Sequence, residues 1–287
     1  MMNLNCRILS PGSLAEVLQL LADQNSSTKI LAGGTDVVTG IKQGSKRFIN
    51  TDLLVDINRI PEIKNIKKDK NKITIGAGVT FSDLCASEII SNDLPILKKA
   101  ASTIGSMQIR NRATIAGNFV NNAPCADTVP ALLVYNAVLE IESLTSKKEI
   151  SLQEFLSGPY KTQLKPGEIV TKIIIPVPDD NYRGDFYKLG RRRAVAISRL
   201  TLAVLVRHEN NTIKDIRISS GAITPIGTRF QNLEKFASRK NFDENLCREL
   251  SQKIGEEVLA ATGLRWSSAY KLPVIQQMLF QLLMNLR

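Results

Sequence analysis

Histidine is almost missing from this sequence: His208 is the only one. Beside Glu209-Asn210-Asn211 it reads as a solvated turn residue, and its isolation removes Ser-His-Asp, Cys-His and multi-histidine metal mechanisms together. The four cysteines, Cys6, Cys85, Cys125 and Cys247, are scattered, with no Cys-x-x-Cys and no zinc or iron–sulfur ligand spacing. Free thiols suit a reducing cytoplasm, and any iron–sulfur centre that serves this chain has to come from another one. Aromatic residues are 5% of the total and do not interleave with the basic clusters as nucleic-acid stacking platforms do. No apolar run approaches the roughly 20 residues that span a bilayer, and Met1–Ser10 lacks the basic-then-apolar order of a signal peptide. There is no internal repeat and no low-complexity tract.

What is present is an ordinary globular composition, 43% hydrophobic and 23% charged, over 287 residues, enough for two domains. Lys and Arg number 38 against 27 Asp and Glu, a net charge of +11. Such a surface attracts anions: nucleotides, nucleic acid, an acidic membrane or an acidic protein.

The periodicity predicts an α+β protein. Helices are expected over Ser13–Ala22, with Ser13 as cap, and over Val37–Lys42, Thr80–Ser87, Leu94–Ser102 and Thr128–Tyr135. Later ones follow over Arg229–Phe236, Asn245–Ala261 and Ala269–Leu286. Strands are expected at Lys29–Ala32, Leu53–Ile57, Ile63–Ile66, Lys72–Ala77, Ala137–Ser143 and Glu168–Pro176, then at Gly184–Leu189, Ile197–Arg207 and Thr212–Ala222. The stretch Gln108–Asn122, rich in Asn, Arg, Thr and Gly, reads as a scaffolded loop. Pro176-Val177-Pro178-Asp179-Asp180-Asn181 is the best boundary, dividing residues 1–176 from 177–287.

Two segments carry the chemistry. Gly33-Gly34-Thr35-Asp36 lies between a strand and a helix, where backbone N–H groups can converge on an anion and glycine admits a diphosphate without a Cβ clash. By itself it reads first as a plain strand–helix turn. The second, Ile104 to Asn118, is too polar for a core element; its backbone could offer N–H groups to the other face of the same diphosphate, with Asp127 accepting from ribose or ribityl hydroxyls. Gly76-Ala77-Gly78 fails as a dinucleotide fingerprint because Phe81 stands where the third glycine belongs, and no P-loop is present.

The patterns Leu-Ala-Gly-Gly-Thr-Asp at 31–36, Ile-Gly-x-x-Gln-Ile-Arg-Asn-x-Ala-Thr-Ile-x-Gly-Asn at 104–118 and Ala-Asp-Thr-Val-Pro-Ala-Leu-Leu at 126–133 together resemble the FAD-binding subunit of the molybdenum hydroxylases, the xanthine, nicotinate and aerobic carbon monoxide dehydrogenase type. The resemblance extends through Gly76–Thr80, Gly158-Pro159, Pro166–Ile169, Lys188–Arg193 and Leu264–Lys271, so it covers nearly the whole chain. It implies a two-subdomain FAD domain of the vanillyl-alcohol-oxidase type over 1–176, with subdomains at about 1–58 and 59–176, and a smaller α+β domain over 177–287. Leu31, Ala32, Gly33, Gly34, Thr35, Asp36, Val37 and Val38 would wrap one side of the FAD diphosphate. Thr114, Ile115, Ala116, Gly117 and Asn118 would wrap the other. Asp127 would take the ribityl or diphosphate region, Ile104 and Val170 the adenine side, and Lys188 a place near the flavin or a plain surface position. Ile197 and Ser198 would border the isoalloxazine, and Arg191-Arg192-Arg193 would support an anionic flavin or a pyridine nucleotide, or form a basic surface.

The family pattern has Gly where this chain has Ala116, a change that costs little unless the backbone there has φ above zero. The resemblance further implies a molybdopterin-carrying large subunit, a small subunit with two 2Fe–2S clusters, and electrons leaving through FAD to NAD or another acceptor. The C-terminal region leans toward a xanthine or related N-heterocycle dehydrogenase, with an aerobic carbon monoxide or aldehyde dehydrogenase as the alternative. A nucleic-acid- or anion-binding module without flavin is the competing class.

Overall fold

The computed structural model describes residues 6–23, 27–192 and 194–287. The chain begins with a small parallel unit. Strands β1 (Arg7–Leu9), β2 (Thr28–Leu31) and β3 (Leu53–Asp56) form a sheet in the order β1-β3-β2. Helix α1 (Leu14–Ala22) joins the first two and α2 (Val37–Lys42) follows the second. Ser13 caps α1 as expected, its hydroxyl accepting from the Glu16 N–H. Val17 and Leu21 of α1, spaced one turn apart, bury against Leu53, Val55 and Ile57.

The second unit is built on five antiparallel strands in the order β4-β5-β10-β6-β7. These are β4 (Ile66–Lys68), β5 (Lys72–Gly76), β6 (Val138–Glu142), β7 (Lys147–Ser151) and β10 (Ile169–Pro176), with the short hairpin β8 (Leu156–Gly158) and β9 (Lys161–Thr162) beside them. Between β5 and β6 run α3 (Phe81–Ala86), α4 (Glu88–Asp93), α5 (Pro95–Ser102), α6 (Met107–Arg110), α7 (Ile115–Asn121) and α8 (Thr128–Val134); α9 (Leu152–Phe155) follows β7. Thr80 and Asp83 make the capping box of α3.

The third unit is a four-stranded antiparallel sheet, β11 (Arg183–Gly190), β12 (Ser198–Glu209), β13 (Thr212–Gly221) and β14 (Thr228–Arg229), covered by α10 (Gln231–Ala237), α11 (Glu244–Thr262) and α12 (Ser268–Leu286). One face of this sheet buries Leu200, Leu202, Val204 and Val206 with the last helices. The other sends Phe186, Ala203 and Leu205 into the core of the second unit, against α5 and α8. The linker of residues 177–182 therefore joins two units that share a core.

Three expectations fail here. Ile63–Ile66 is not a strand: Pro61–Ile63 is a 3-10 turn, favoured by proline at its start, and β4 begins only at Ile66. Gln108–Asn122 is not a loop but two short helices, α6 and α7, each opened by a hydroxyl cap at Ser106 and Thr114. His208 is not in a turn; it sits half-buried near the end of β12, its ring centroid 5.4 Å from that of Phe242 in an edge-on arrangement.

Candidate functional site: a cavity between two backbone loops

Strand β2 ends at Leu31 and the chain enters Ala32-Gly33-Gly34-Thr35 before α2. Gly34 has φ +74°, open to glycine and strained for other residues. Gly33 is required for a different reason. A Cβ there would overlap the Arg112 carbonyl and lie 2.7 Å from the Ala113 Cα. The two segments singled out in the sequence are thus packed backbone to backbone, and together they wall a cavity of about 1030 Å³, at the upper end of the roughly 300–1,000 Å³ usual for ligand sites. Of the expected residues, all but Leu31, Val38 and Ile115 border it. Leu31 and Val38 back the Gly34 turn, and Ile115, the first residue of α7, is fully buried.

The two loops differ in what they offer. Along Gly33 to Val37 the backbone N–H groups donate to no acceptor among the described residues; the next one, of Val38, returns to the Gly34 carbonyl. Consecutive unclaimed donors on a glycine turn are the chemistry that holds a phosphate. The second loop corrects the expectation. The Ile115 N–H donates to Val79, that of Ala116 to Ala77, that of Gly117 to the Thr114 hydroxyl and that of Asn118 to the Thr114 carbonyl. Its free donors are side chains: the Asn118 carbonyl oxygen accepts from the Thr128 hydroxyl at 2.7 Å, which leaves the Asn118 amide NH₂ unengaged. Ala116 lies inside α7 with φ below zero, so the alanine carries no backbone strain.

Deeper in, Asp127 is buried and ion-paired. Lys188 donates to it at 2.6 Å and to the Thr103 carbonyl at 2.9 Å, and the Ser198 hydroxyl donates to the other carboxylate oxygen. The Lys188 and Asp127 side chains are only 10% and 8% exposed. Strand alternation explains how a lysine gets there: Lys188 shares the face of β11 that turns Phe186 inward. Burial pushes the Asp127 carboxyl above its ordinary range, against the pull of Lys188 and the Ser198 hydroxyl. Burial also raises the Cys125 thiol nearby, as do the charges of Asp127 and Asp36, so this cysteine stays protonated. Ile104, Val170, Ile197 and Ser198 border the cavity, Val170 buried and Ile197 79% exposed. Arg192 fastens the adjoining loop by donating to the Ala194 and Val195 carbonyls; Arg191 is exposed, and Arg193 lies outside the described residues.

Sequence reasoning missed one corner of the wall. The Arg47 guanidinium lies over the Tyr160 ring at 4.1 Å and the Phe48 ring at 4.9 Å, and it bonds to Asn121. Tyr160 has φ +58°, held there by its N–H bond to the Asn122 carbonyl at 2.8 Å. Nothing in the local sequence brings residues 47, 121 and 160 together; the fold does so by bringing the segment after α2 and the turn between β8 and β9 to the end of α7.

A glycine turn whose N–H groups are unclaimed among the described residues, set in the wall of a cavity of this size, suits the phosphates of a nucleotide cofactor. Residues 4–178 match the FAD binding domain in molybdopterin dehydrogenase, and residues 185–286 the CO dehydrogenase flavoprotein C-terminal domain. The chain belongs to this family, the FAD-binding medium subunits of molybdenum hydroxylase-type oxidoreductases. It is 32% identical over 268 residues to the xanthine dehydrogenase FAD-binding subunit of Escherichia coli O157:H7, covering 93% of this chain and 90% of that one. It is 30% identical over 264 residues to the glyceraldehyde dehydrogenase medium chain of Sulfolobus acidocaldarius, covering 92% of each. A chain of the solved carbon monoxide dehydrogenase from Hydrogenophaga pseudoflava superposes with a TM-score of 0.91 at 26% identity, over 100% of this chain and 98% of that one.

Proposed function

We propose that the chain holds FAD in this cavity and works as the electron-exit subunit of a heterotrimeric molybdenum-containing dehydrogenase. A small subunit with 2Fe–2S clusters would deliver electrons, and NAD or another acceptor would remove them. When bound, the flavin supplies the redox chemistry. The observation that carries the assignment is the run of unclaimed N–H groups from Gly33 to Val37, fixed by the backbone contact of Gly33 with Arg112. On this reading Gly33, Gly34, Thr35 and Asp36 bind the diphosphate, with the Thr114 hydroxyl and the Asn118 amide opposite them. Ala32, Val37, Ala116 and Gly117 shape the passage. Leu31, Val38 and Ile115 support it from behind. Asp127 keeps lone pairs for a ribityl hydroxyl, Lys188 fixes Asp127 and places a cation near the flavin, and Ile104 and Val170 bound the adenine end. Residues 1–176 form the FAD domain and 177–287 the closing domain.

For the substrate of the complex, the similarity to a xanthine dehydrogenase subunit supports a purine or related N-heterocycle. The comparable similarity to a glyceraldehyde dehydrogenase chain supports an aldehyde instead. No described helix is long and apolar enough to cross a membrane, and the free cysteines fit the cytoplasm. The protein purified alone is expected to carry a flavin visible spectrum at one FAD per chain and to leave organic substrates untouched. Asn118→Ala should lower FAD content with the fold intact by circular dichroism. A colourless protein that takes up no added FAD refutes the reading, and salt-sensitive nucleic-acid binding by that protein would favour the competing class.

A further inference from the structure

A second hollow, of about 310 Å³, neighbours the first. Gly190 and Arg191, where β11 ends, and Arg199 on β12 form one side; Trp266 and Ser267, with Tyr270 on the first turn of α12, form the other. The chain from 190 to 199 serves both spaces, since Val195 to Ser198 line the main cavity. Trp266 is the sole tryptophan of the sequence and is 89% exposed, with Tyr270 54% exposed beside it. Tryptophan holds the largest apolar surface of any side chain, and leaving it in water beside another aromatic marks a binding surface.

The charge at this place is of one sign. Among the described residues Arg191, Arg199, Arg265 and Lys271 form no ion pair; Arg265 bonds to the Thr262 carbonyl and Lys271 to the Ala222 carbonyl. Burial, and then the fields of Arg199 and Arg265, hold the Lys271 ammonium below its usual range. Lys271 thus lies in the fields of Arg199 and Arg265, and Arg191 and Arg199 line the hollow with no carboxylate among its lining residues, so a phosphate there would relieve them. Guanidinium groups bind phosphate through paired N–H donors, and a base stacked on an aromatic ring gains about 1–3 kcal/mol.

We propose that this hollow binds a phosphorylated nucleoside, its base against Trp266 and Tyr270 and its phosphate at Arg191 and Arg199. The volume suits a mononucleotide or one half of a dinucleotide. In the second case the other half reaches the mouth of the main cavity along residues 195–198, which makes the hollow an anchor for the electron acceptor; that arm rests on the flavoprotein reading. The Trp266 indole reports on the site directly. The full-length protein loaded with FAD is titrated with ADP and with NAD⁺ while Trp266 emission is followed. A saturable change is expected, weakened at least tenfold in Arg191→Ala and Arg199→Ala and weakened by added salt. Arg199 does not line the main cavity, so the flavin absorbance of Arg199→Ala should stay at the wild-type level. A response to ADP alone makes the site one for a free mononucleotide. A response to NAD⁺ that also perturbs the flavin spectrum makes it the acceptor anchor. Binding of ADP by a preparation that takes up no FAD would keep this site and remove the flavoprotein reading. Absence of any saturable change at millimolar ADP and NAD⁺, or unchanged affinity in both arginine variants, overturns the proposal. So does loss of the ADP response in the assembled complex with Trp266 shielded from iodide, which would make this face a protein contact.

Discussion

The buried pair Lys188–Asp127 offers the sharpest test of the site. In Lys188→Met the cation is replaced by a side chain of similar length, and Asp127 keeps only the Ser198 hydroxyl. Removing one partner of a buried pair leaves an uncompensated charge and costs about 3–5 kcal/mol, which lowers Tm by roughly 6–20 °C at ~2–4 °C per kcal/mol. The cost should depend on pH in a stated direction. Burial already raises the Asp127 carboxyl and Lys188 opposes it, so without Lys188 it rises further. A carboxyl whose folded pKa lies above its unfolded value of about 3.9 contributes stability at low pH that is lost as pH rises through the folded pKa. The variant's deficit should therefore be small near pH 4 and largest above pH 7. Adding Asp127→Asn removes the stranded charge and should restore most of the stability at pH 8, since a neutral replacement of a buried pair is often tolerated. Urea midpoints of the three proteins at several pH values measure this. An equal deficit at all pH values, or a double variant no better than Lys188→Met, would refute the account of the pair.

Gly33→Ala should abolish FAD content and unfold readily, because its Cβ meets backbone on the facing loop; Gly117→Ala, whose Cβ would meet only the Thr114 hydroxyl at 2.9 Å, should retain more flavin in the same absorbance assay. Ala116→Gly should bind FAD normally yet lose about 0.5–1 kcal/mol in a thermal melt, because glycine weakens a helix interior. Burial works against the Glu140 charge, but bonds from Lys147, Lys172 and the Thr171 hydroxyl hold its carboxyl at about 2. A depressed carboxyl contributes stability above its unfolded pKa that disappears as pH falls through the folded one. Glu140→Gln should accordingly be less stable than wild type at neutral pH and equal to it near pH 2, and a gap that persists in acid would contradict this. Tyr135→Phe strips the hydroxyl that accepts from the buried Ile96 N–H at 3.2 Å, and a loss of about 1–3 kcal/mol is expected in urea.

Much of this was legible in the residues. Long apolar periods gave α1, α11, α12 and the β12–β13 pair because those segments bury one face at a fixed spacing, whatever their neighbours do. Helices α4, α6 and α7 were hidden because they run only four to seven residues, too short for periodicity. Ser106 and Thr114, each accepting from the N–H three residues on, were the available signals. The glycine loop was visible as a motif, but its requirement at Gly33 comes from Arg112, a partner far away in sequence. The same holds for Arg47 with Tyr160 and for Asp127 with Lys188: charge and aromatic type can be read locally, whereas a pairing across tens of residues is made by the sheets.

The cavity draws its walls from β2 near the start of the chain, from α7 and from β11 beyond the linker. No prefix of the polypeptide that stops before Lys188 can complete it. Cofactor capture must then come late in biogenesis, after the third sheet has docked on α5 and α8. Once free FAD stands a hundredfold above its Kd, capture adds about 2.7 kcal/mol to the stability of the finished chain alone. A flavin colour on this subunit would thus certify a polypeptide made and folded at least as far as its third sheet.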